Sequence, residues 1–265
     1  MNILDQIIAY KKVQVKNQKS KKKIVELEQS KFFSRHTFSL KKNLMNENKT
    51  GVIAEFKRKS PSKGIINNYA DVIEITNAYK KYGASALSIL TDEKFFEGNE
   101  NDLIQARINS VPILRKDFIV DEYQVIESKS IGADVILLIA ACLTKKQVQQ
   151  FAALAKKLGL EVLLEIHSQQ EFEHICDKVD FIGINNRNLK TFEVAINTSF
   201  NLIKKIPKEK IVISESGISN IDTIIKLKQA GFKGFLIGEY FMKQVNPAIA
   251  FQKFVEELKA KENAH

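Results

Sequence analysis

Near the N-terminus Ile3, Leu4, Ile7 and Ile8 fall at the three-and-four spacing of an amphipathic helix. Residues 11–49 continue as helical and irregular segments in which Phe32, Phe33, Phe38 and Leu40 supply a hydrophobic face. From Gly51 the period changes. Short apolar, β-rich runs at 52–56, 86–90, 112–115, 134–139, 161–166, 181–185, 211–214 and 235–238 alternate with helical patterns. Those are centred on 72–82, 102–109, 121–131, 145–158, 169–176, 198–206, 221–229 and 248–258. Gly83, Gly132, Gly159 and Gly231 stand where helices would be capped. Near-continuous apolar strands alternating with helices predict a parallel sheet covered by helices. Eight such units predict an α/β fold, a single (β/α)8 TIM barrel spanning residues 1–265. Residues 1–48 are expected to be a helical extension capping one end of it. A doubly wound open sheet is the alternative, but no G-x-G-x-x-G follows the first strand.

Barrels of this type work at the C-terminal ends of their strands, and there polar residues interrupt the apolar runs. The first strand ends in Glu55 and Lys57, which share a face because side chains two apart in a strand do. Ser60-Pro61-Ser62 then breaks the strand, and Gly64 permits a turn. The third strand ends in Lys116, the fifth in Glu165, the sixth in Asn185 and Arg187, the seventh in Glu215 and Ser216. By alternation Lys116 goes with Leu114, Glu165 with Leu163, Asn185 with Gly183 and Glu215 with Ile213. Arg115 is out of phase and is expected to face the helices as a structural residue. Burying such charges unpaired costs several kcal/mol each. Two lysines, three glutamates and an asparagine on one rim therefore point to chemistry, with a closed ring of structural salt bridges as the alternative. Ser216-Gly217 and Gly238, after the last two strands, open onto helices whose N–H groups suit a phosphate, with Lys57 and Ser60 facing it.

Composition narrows the partners. The 265 residues are 44% hydrophobic, and no apolar run reaches the roughly 20 residues of a membrane span, so no membrane partner is expected. The N-terminus carries no cleavable signal pattern. Cys142 and Cys176 lie in apolar surroundings and read as core thiols of a cytoplasmic protein. Four scattered histidines give no metal-ligand spacing. The net charge of +10 raises a nucleic-acid reading, which predicts tight, steeply salt-dependent binding. The lysines are spread, however, and the dense run Lys19-Ser-Lys-Lys-Lys23 reads as a solvated helix face. The charge equally suits the steering of an anionic small molecule, and no nucleic-acid partner is expected.

Ile53-Ala-Glu-Phe-Lys-Arg-Lys-Ser-Pro-Ser62 resembles the signature of the indole-3-glycerol phosphate synthases, barrel enzymes of tryptophan biosynthesis. The resemblance continues through Leu90-Thr-Asp-Glu-Lys-Phe-Phe-Glu-Gly98, Leu114-Arg-Lys-Asp-Phe-Ile-Val120 and Leu163-Leu-Glu-Ile-His167. It ends with Ile182-Gly-Ile-Asn-Asn-Arg-Asn-Leu189, Ser214-Glu-Ser-Gly-Ile218 and Phe235-Leu-Ile-Gly238. It covers essentially the whole chain and implies a monofunctional form. It also implies decarboxylating, dehydrating ring closure of 1-(2-carboxyphenylamino)-1-deoxyribulose 5-phosphate, with no cofactor and no metal. By resemblance Lys116 is the general acid for ring closure, and Glu165 and Lys57 serve the dehydration. Glu55 would hold a lysine, while Asn185, Glu215 and Ser216 would bind carboxylate or hydroxyl groups. Phe96, Phe118, Pro61 and Leu189 would form the pocket for the ring. Ser60, Gly217 and Gly238 would bind phosphate, and Arg187 belongs to the same substrate-binding set. Glu239 stands where many relatives carry a small hydroxyl residue; its N–H serves the phosphate if its side chain points away. Asn188 replaces a common acid and is given no function. A phosphoribosyl isomerase, the nearest enzymatic alternative, would need neither a carboxylate-binding group nor Lys116. A monomer is expected, with a homodimer as the alternative.

Overall fold

The computed structural model describes residues 2–263. Its helices before the first strand are α1 (Ile3–Lys21), α2 (Ile24–Glu28) and α3 (Leu40–Leu44). There follow β1 (Val52–Phe56), the short β2 (Lys59–Ser60) and β3 (Gly64–Ile65), α4 (Val72–Lys81), β4 (Ala86–Leu90), α5 (Glu93–Phe96) and α6 (Glu100–Ala106). The middle of the chain supplies β5 (Ile113–Lys116), α7 (Glu122–Ser130), β6 (Val135–Ile139), α8 (Lys145–Lys157), β7 (Glu161–Ile166) and β8 (Phe181–Asn185). The remainder is α9 (Asn197–Leu202), β9 (Ile211–Glu215), α10 (Ile221–Gln229), β10 (Gly234–Ile237), α11 (Glu239–Met242) and α12 (Pro247–Asn263).

Among the described residues eight strands close one parallel barrel in chain order, β10 pairing back onto β1. The strands sort their side chains by parity. Ile53, Leu114, Leu163, Ile213 and Leu236 fill the interior, while Val52, Ala54, Ile113, Leu164 and Val212 pack beneath the helices. Each buried strand thus reads as a continuous apolar run, because both of its faces are dry. Gly83, Gly132, Gly159 and Gly231 all have positive φ just past helix ends, as expected of caps.

Three local expectations are revised. Residues 169–176 form a 3-10 helix, Gln169–His174, in place of the expected α-helix, with Phe172 and Ile175 packed against the core. The loop after β1 folds back as an antiparallel β2–β3 pair, with the Arg58 carbonyl accepting the N–H groups of Ile66 and Asn67. Cys142 and Cys176 are free thiols, half-buried at the edge of the helix layer rather than in the core. Arg115 does face the helices, pairing with Glu127 at 2.8 Å and Asp117 at 3.2 Å.

The segment before β1 runs the height of the barrel. Leu4 and Ile7 of α1 reach the interior cluster from the C-terminal side. α3 closes the opposite end: Glu161, at the start of β7, accepts the Leu40 N–H at 2.6 Å and the Ser39 hydroxyl at 2.7 Å. Between them Asp134, fully buried, accepts from the N–H groups of Phe38 and Ile113, each at 2.8 Å, and from Arg35 and Arg107. Asp134→Ala leaves the Arg107 guanidinium buried without its anion. The expected loss is about 3–5 kcal/mol, read as a lower urea midpoint; an unchanged midpoint would contradict this anchoring role.

Candidate active site

At the C-terminal end of the barrel the inward positions turn from apolar to charged. Glu55, Lys116, Glu165, Asn185 and Glu215 are each two residues beyond an inward-facing residue of their own strand. Lys57 Nζ lies 2.6 Å from Glu55 Oε1. Lys116 Nζ lies 3.5 Å from Glu165 Oε2 and 3.8 Å from Glu215 Oε2. Asn185 donates from Nδ2 to Glu165 Oε1 at 3.1 Å. Two glycines make room for these carboxylates. A Cβ at Gly183 would stand 2.1 Å from Glu215 Oε1, and one at Gly238 would stand 2.6 Å from Glu55 Oε1. Neither position accepts a side chain while the carboxylate stays in place.

The electrostatics follow from this packing. Burial by itself lowers the Lys116 pKa; Glu165, Glu215 and Glu55 reverse the effect and hold it above the ordinary lysine value. Burial by itself raises Glu165, but Lys116 and His167 bring it well below the usual carboxylate range. Glu215 is pushed up to about 8, chiefly by burial and then by the Glu165 charge, with Lys116 opposing. At neutral pH the inner rim thus holds a charged lysine, a charged Glu165 and a neutral Glu215. His167 is a member of this cluster that the sequence reading missed. Its Nε2 is 3.3 Å from Glu165 Oε1 and its Nδ1 is 3.7 Å from Glu171 Oε2. Burial lowers it, but the two carboxylates raise it to about 10. Its place two residues after Glu165 was the available signal.

One side of the cleft is apolar. The rings of Phe96 and Phe118 lie 6.2 Å apart, and Pro61 and Leu189 line the same cleft. Ile3, Leu4 and Ile7 of α1 complete that wall, which the helical pattern alone did not reveal. The other side is basic. Gly217 and Gly238 do not line the main cleft; they line an adjoining recess with Lys63 and Lys243, which shares Lys57, Arg187, Ser216 and Glu239 with the cleft. Ser216 and Gly217 both have positive φ, 67° and 78°. Asn186, also missed from sequence, holds the Ser216 turn by donating from Nδ2 to the carbonyls of Glu215 and Ser216, each at 3.0 Å. Ser60 is buried, with its Oγ 3.4 Å from Ser62 Oγ. Arg187 donates to Ser62 Oγ at 3.3 Å and to Glu239 Oε2 at 3.1 Å. The Glu239 side chain therefore turns toward Arg187, with Lys63 3.9 Å away, and stays on the wall of the cleft. Among the described residues no group of three or more His, Cys, Asp or Glu is placed to hold a metal ion. No helix among them is long and apolar enough to cross a membrane.

A family model described as indole-3-glycerol phosphate synthase matches residues 4–254. The chain belongs to the indole-3-glycerol phosphate synthase family. A relative of that name from Bacteroides thetaiotaomicron is 48% identical over 97% of this chain and 99% of its own. One from Caldanaerobacter subterraneus subsp. tengcongensis is 44% identical over 97% and 99%, and one from Polaromonas naphthalenivorans is 40% identical over the same shares. Among solved structures, a tryptophan synthase complex from Pyrococcus furiosus aligns with a TM-score of 0.59 at 16% identity, covering 80% of this chain and 98% of that one. A structure titled "Native KDPGal structure" aligns with a TM-score of 0.60 at 14% identity, covering 83% and 98%. These two similarities concern the fold alone.

The raised Glu215 pKa gives a stability signature. The native state holds a proton there that the unfolded state has released, between an ordinary glutamate value of 4.5 and about 8. Stability from this site therefore falls as pH rises through that window. Glu215→Gln should match the parent near pH 4.5 and gain on it progressively up to about pH 8, measured by thermal unfolding. A constant difference across that range would contradict the shift.

Proposed function

We propose that this cleft performs the family's reaction on 1-(2-carboxyphenylamino)-1-deoxyribulose 5-phosphate, closing the indole ring with loss of carbon dioxide and water. The observation that carries the assignment of roles is the Lys116 ammonium, 3.5 Å from Glu165 and 3.8 Å from Glu215, facing an apolar slot. The ring carbon bearing the carboxylate attacks the sugar carbonyl, whose oxygen gains negative charge. Lys116, kept charged by its carboxylates, gives that oxygen a proton. Loss of carbon dioxide restores aromaticity. Dehydration then needs a base and an acid, and Glu165, held as a carboxylate, and Lys57, held by Glu55, fill those roles.

The remaining residues bind. Phe96, Phe118, Pro61 and Leu189 enclose the ring. Asn185, Ser216 and Glu215 receive carboxylate or hydroxyl groups, and a neutral Glu215 donates a hydrogen bond where a charged one would repel an anion. Ser60, Gly217, Gly238 and the Glu239 N–H receive the phosphate. Arg187 and Lys63 hold the Glu239 carboxylate and offset its charge. This gives the departure at Glu239 a physical account. The segment before β1 serves as the cap of this barrel rather than as a unit apart. Two unpaired thiols support a cytoplasmic setting.

Indole fluorescence tests the reading, since the chain contains no tryptophan. The parent protein should produce a rising indole signal from the substrate. Lys116→Met should lower kcat about 10²–10⁴-fold with an unchanged circular dichroism spectrum. Normal turnover by that variant would remove Lys116 from the mechanism.

A further inference from the structure

α1 buries one charged side chain, Lys11, which is 1% exposed. Its ammonium sits 2.8 Å from Asp92 Oδ2 and 2.8 Å from Asp117 Oδ1. These carboxylates belong to two different walls of the cleft. Asp92 follows β4 and caps α5, its Oδ1 accepting the Phe95 N–H at 2.8 Å, and α5 carries Phe96. Asp117 stands between Lys116 and Phe118 and accepts the Phe118 N–H at 2.8 Å. Leu4 and Ile7 lie seven and four residues before Lys11, on its face of the helix, and line the cleft. Lys11 is thus the meeting point of the α1 wall, the Phe96 wall and the Phe118 wall.

Apolar contacts alone leave a helix free to slide and rotate by small amounts on a barrel, since they have no direction. A buried cation held between two carboxylates fixes both coordinates. Burial alone would lower the Lys11 pKa; Asp117 and Asp92 outweigh it and keep the group charged. The two ends of this latch are not equally dependent on it. Asp117 is also held by Arg115 Nη2 at 3.2 Å and Thr91 Oγ1 at 2.7 Å, so the end of β5 and Lys116 stay in place without Lys11. Among the described residues the other ion pair that α1 makes to the barrel, Lys19 to Asp121 at 2.7 Å, is solvent-exposed and lies two turns further along the helix, away from the cleft.

We propose that Lys11 is a positioning residue for the aromatic end of the cleft: it holds α1 and the α5 loop in register with Phe118, and so sets affinity for the substrate ring without entering the chemistry. This rests on the proposed reaction for the identity of the ring.

Lys11→Met should raise KM for the carboxyphenylamino-deoxyribulose phosphate at least about tenfold while kcat stays within about threefold. That variant also strands the buried Asp92 carboxylate and will lose stability on that account alone. Lys11→Met combined with Asp92→Asn removes one charge of each sign, and asparagine caps a helix as well as aspartate does. The double variant should recover most of the melting temperature and keep the raised KM. Asp92→Asn alone, which leaves the Lys11–Asp117 pair, should fold and show a smaller rise in KM. The proposal is overturned if KM returns to the parent value along with stability in the double variant, if Asp92→Asn leaves KM untouched, or if the loss appears in kcat with KM unchanged. A parent protein that forms no indole product would instead refute the proposed reaction.

Discussion

A lysine held in a dry barrel mouth stays charged only if anions are built around it, and those anions in turn are tolerated only if their number matches. This constraint shapes the C-terminal end of the barrel. Lys116 meets Glu165 and Glu215, and Lys57 meets Glu55. Three carboxylates of the strand ends, with Glu171 beside them, face two ammonium groups and the charged His167. The excess is relieved because Glu215 keeps its proton to about pH 8. The result is a near-neutral rim in which an ammonium, a carboxylate and a neutral carboxyl group stand within a few ångströms of each other. Such separation of neighbouring groups by environment is the usual basis of acid–base chemistry at a single pH. The backbone takes part as well, since Gly183 and Gly238 leave the gaps that Glu215 and Glu55 occupy.

The reaction proposed here also needs a dry slot for an aromatic ring and a basic recess for a phosphate, on opposite sides of that rim. The barrel supplies the recess from its last strands. The slot is different, because much of it comes from outside the barrel strands: α1 contributes Ile3, Leu4 and Ile7, and α5 contributes Phe96. The N-terminal segment is therefore part of the cleft wall. Its attachment at the other end, through Glu161 and Asp134, ties the same segment to the strand starts.

Much of this was legible in the sequence, for identifiable reasons. Eight apolar runs alternating with helices have few other solutions, and a charge that closes an apolar run in phase with the interior, such as Lys116 or Glu165, has one place to go. Other features depend on partners far apart in the chain. The Arg187–Glu239 pair joins residues 52 apart, and no local pattern announces it. The amphipathic pattern of α1 established that Leu4 and Ile7 are covered, but not by which end of the barrel. The β2–β3 pair was invisible because two-residue strands have no period to detect. His167 is the exception: parity from Glu165 places it on the same face, but the four scattered histidines offer no metal-ligand spacing to single it out.

The central claim is that the carboxylates around Lys116 keep it charged in the barrel mouth, ready to donate a proton. NMR titration of lysine side chains labelled at Nζ, with Lys116 assigned by its loss in Lys116→Met, tests this directly. The account predicts a Lys116 signal that remains in the ammonium form after the exposed lysines have titrated near their ordinary value of about 10.4. A Lys116 that loses its proton before them would contradict the account, since burial would then have won over Glu165 and Glu215.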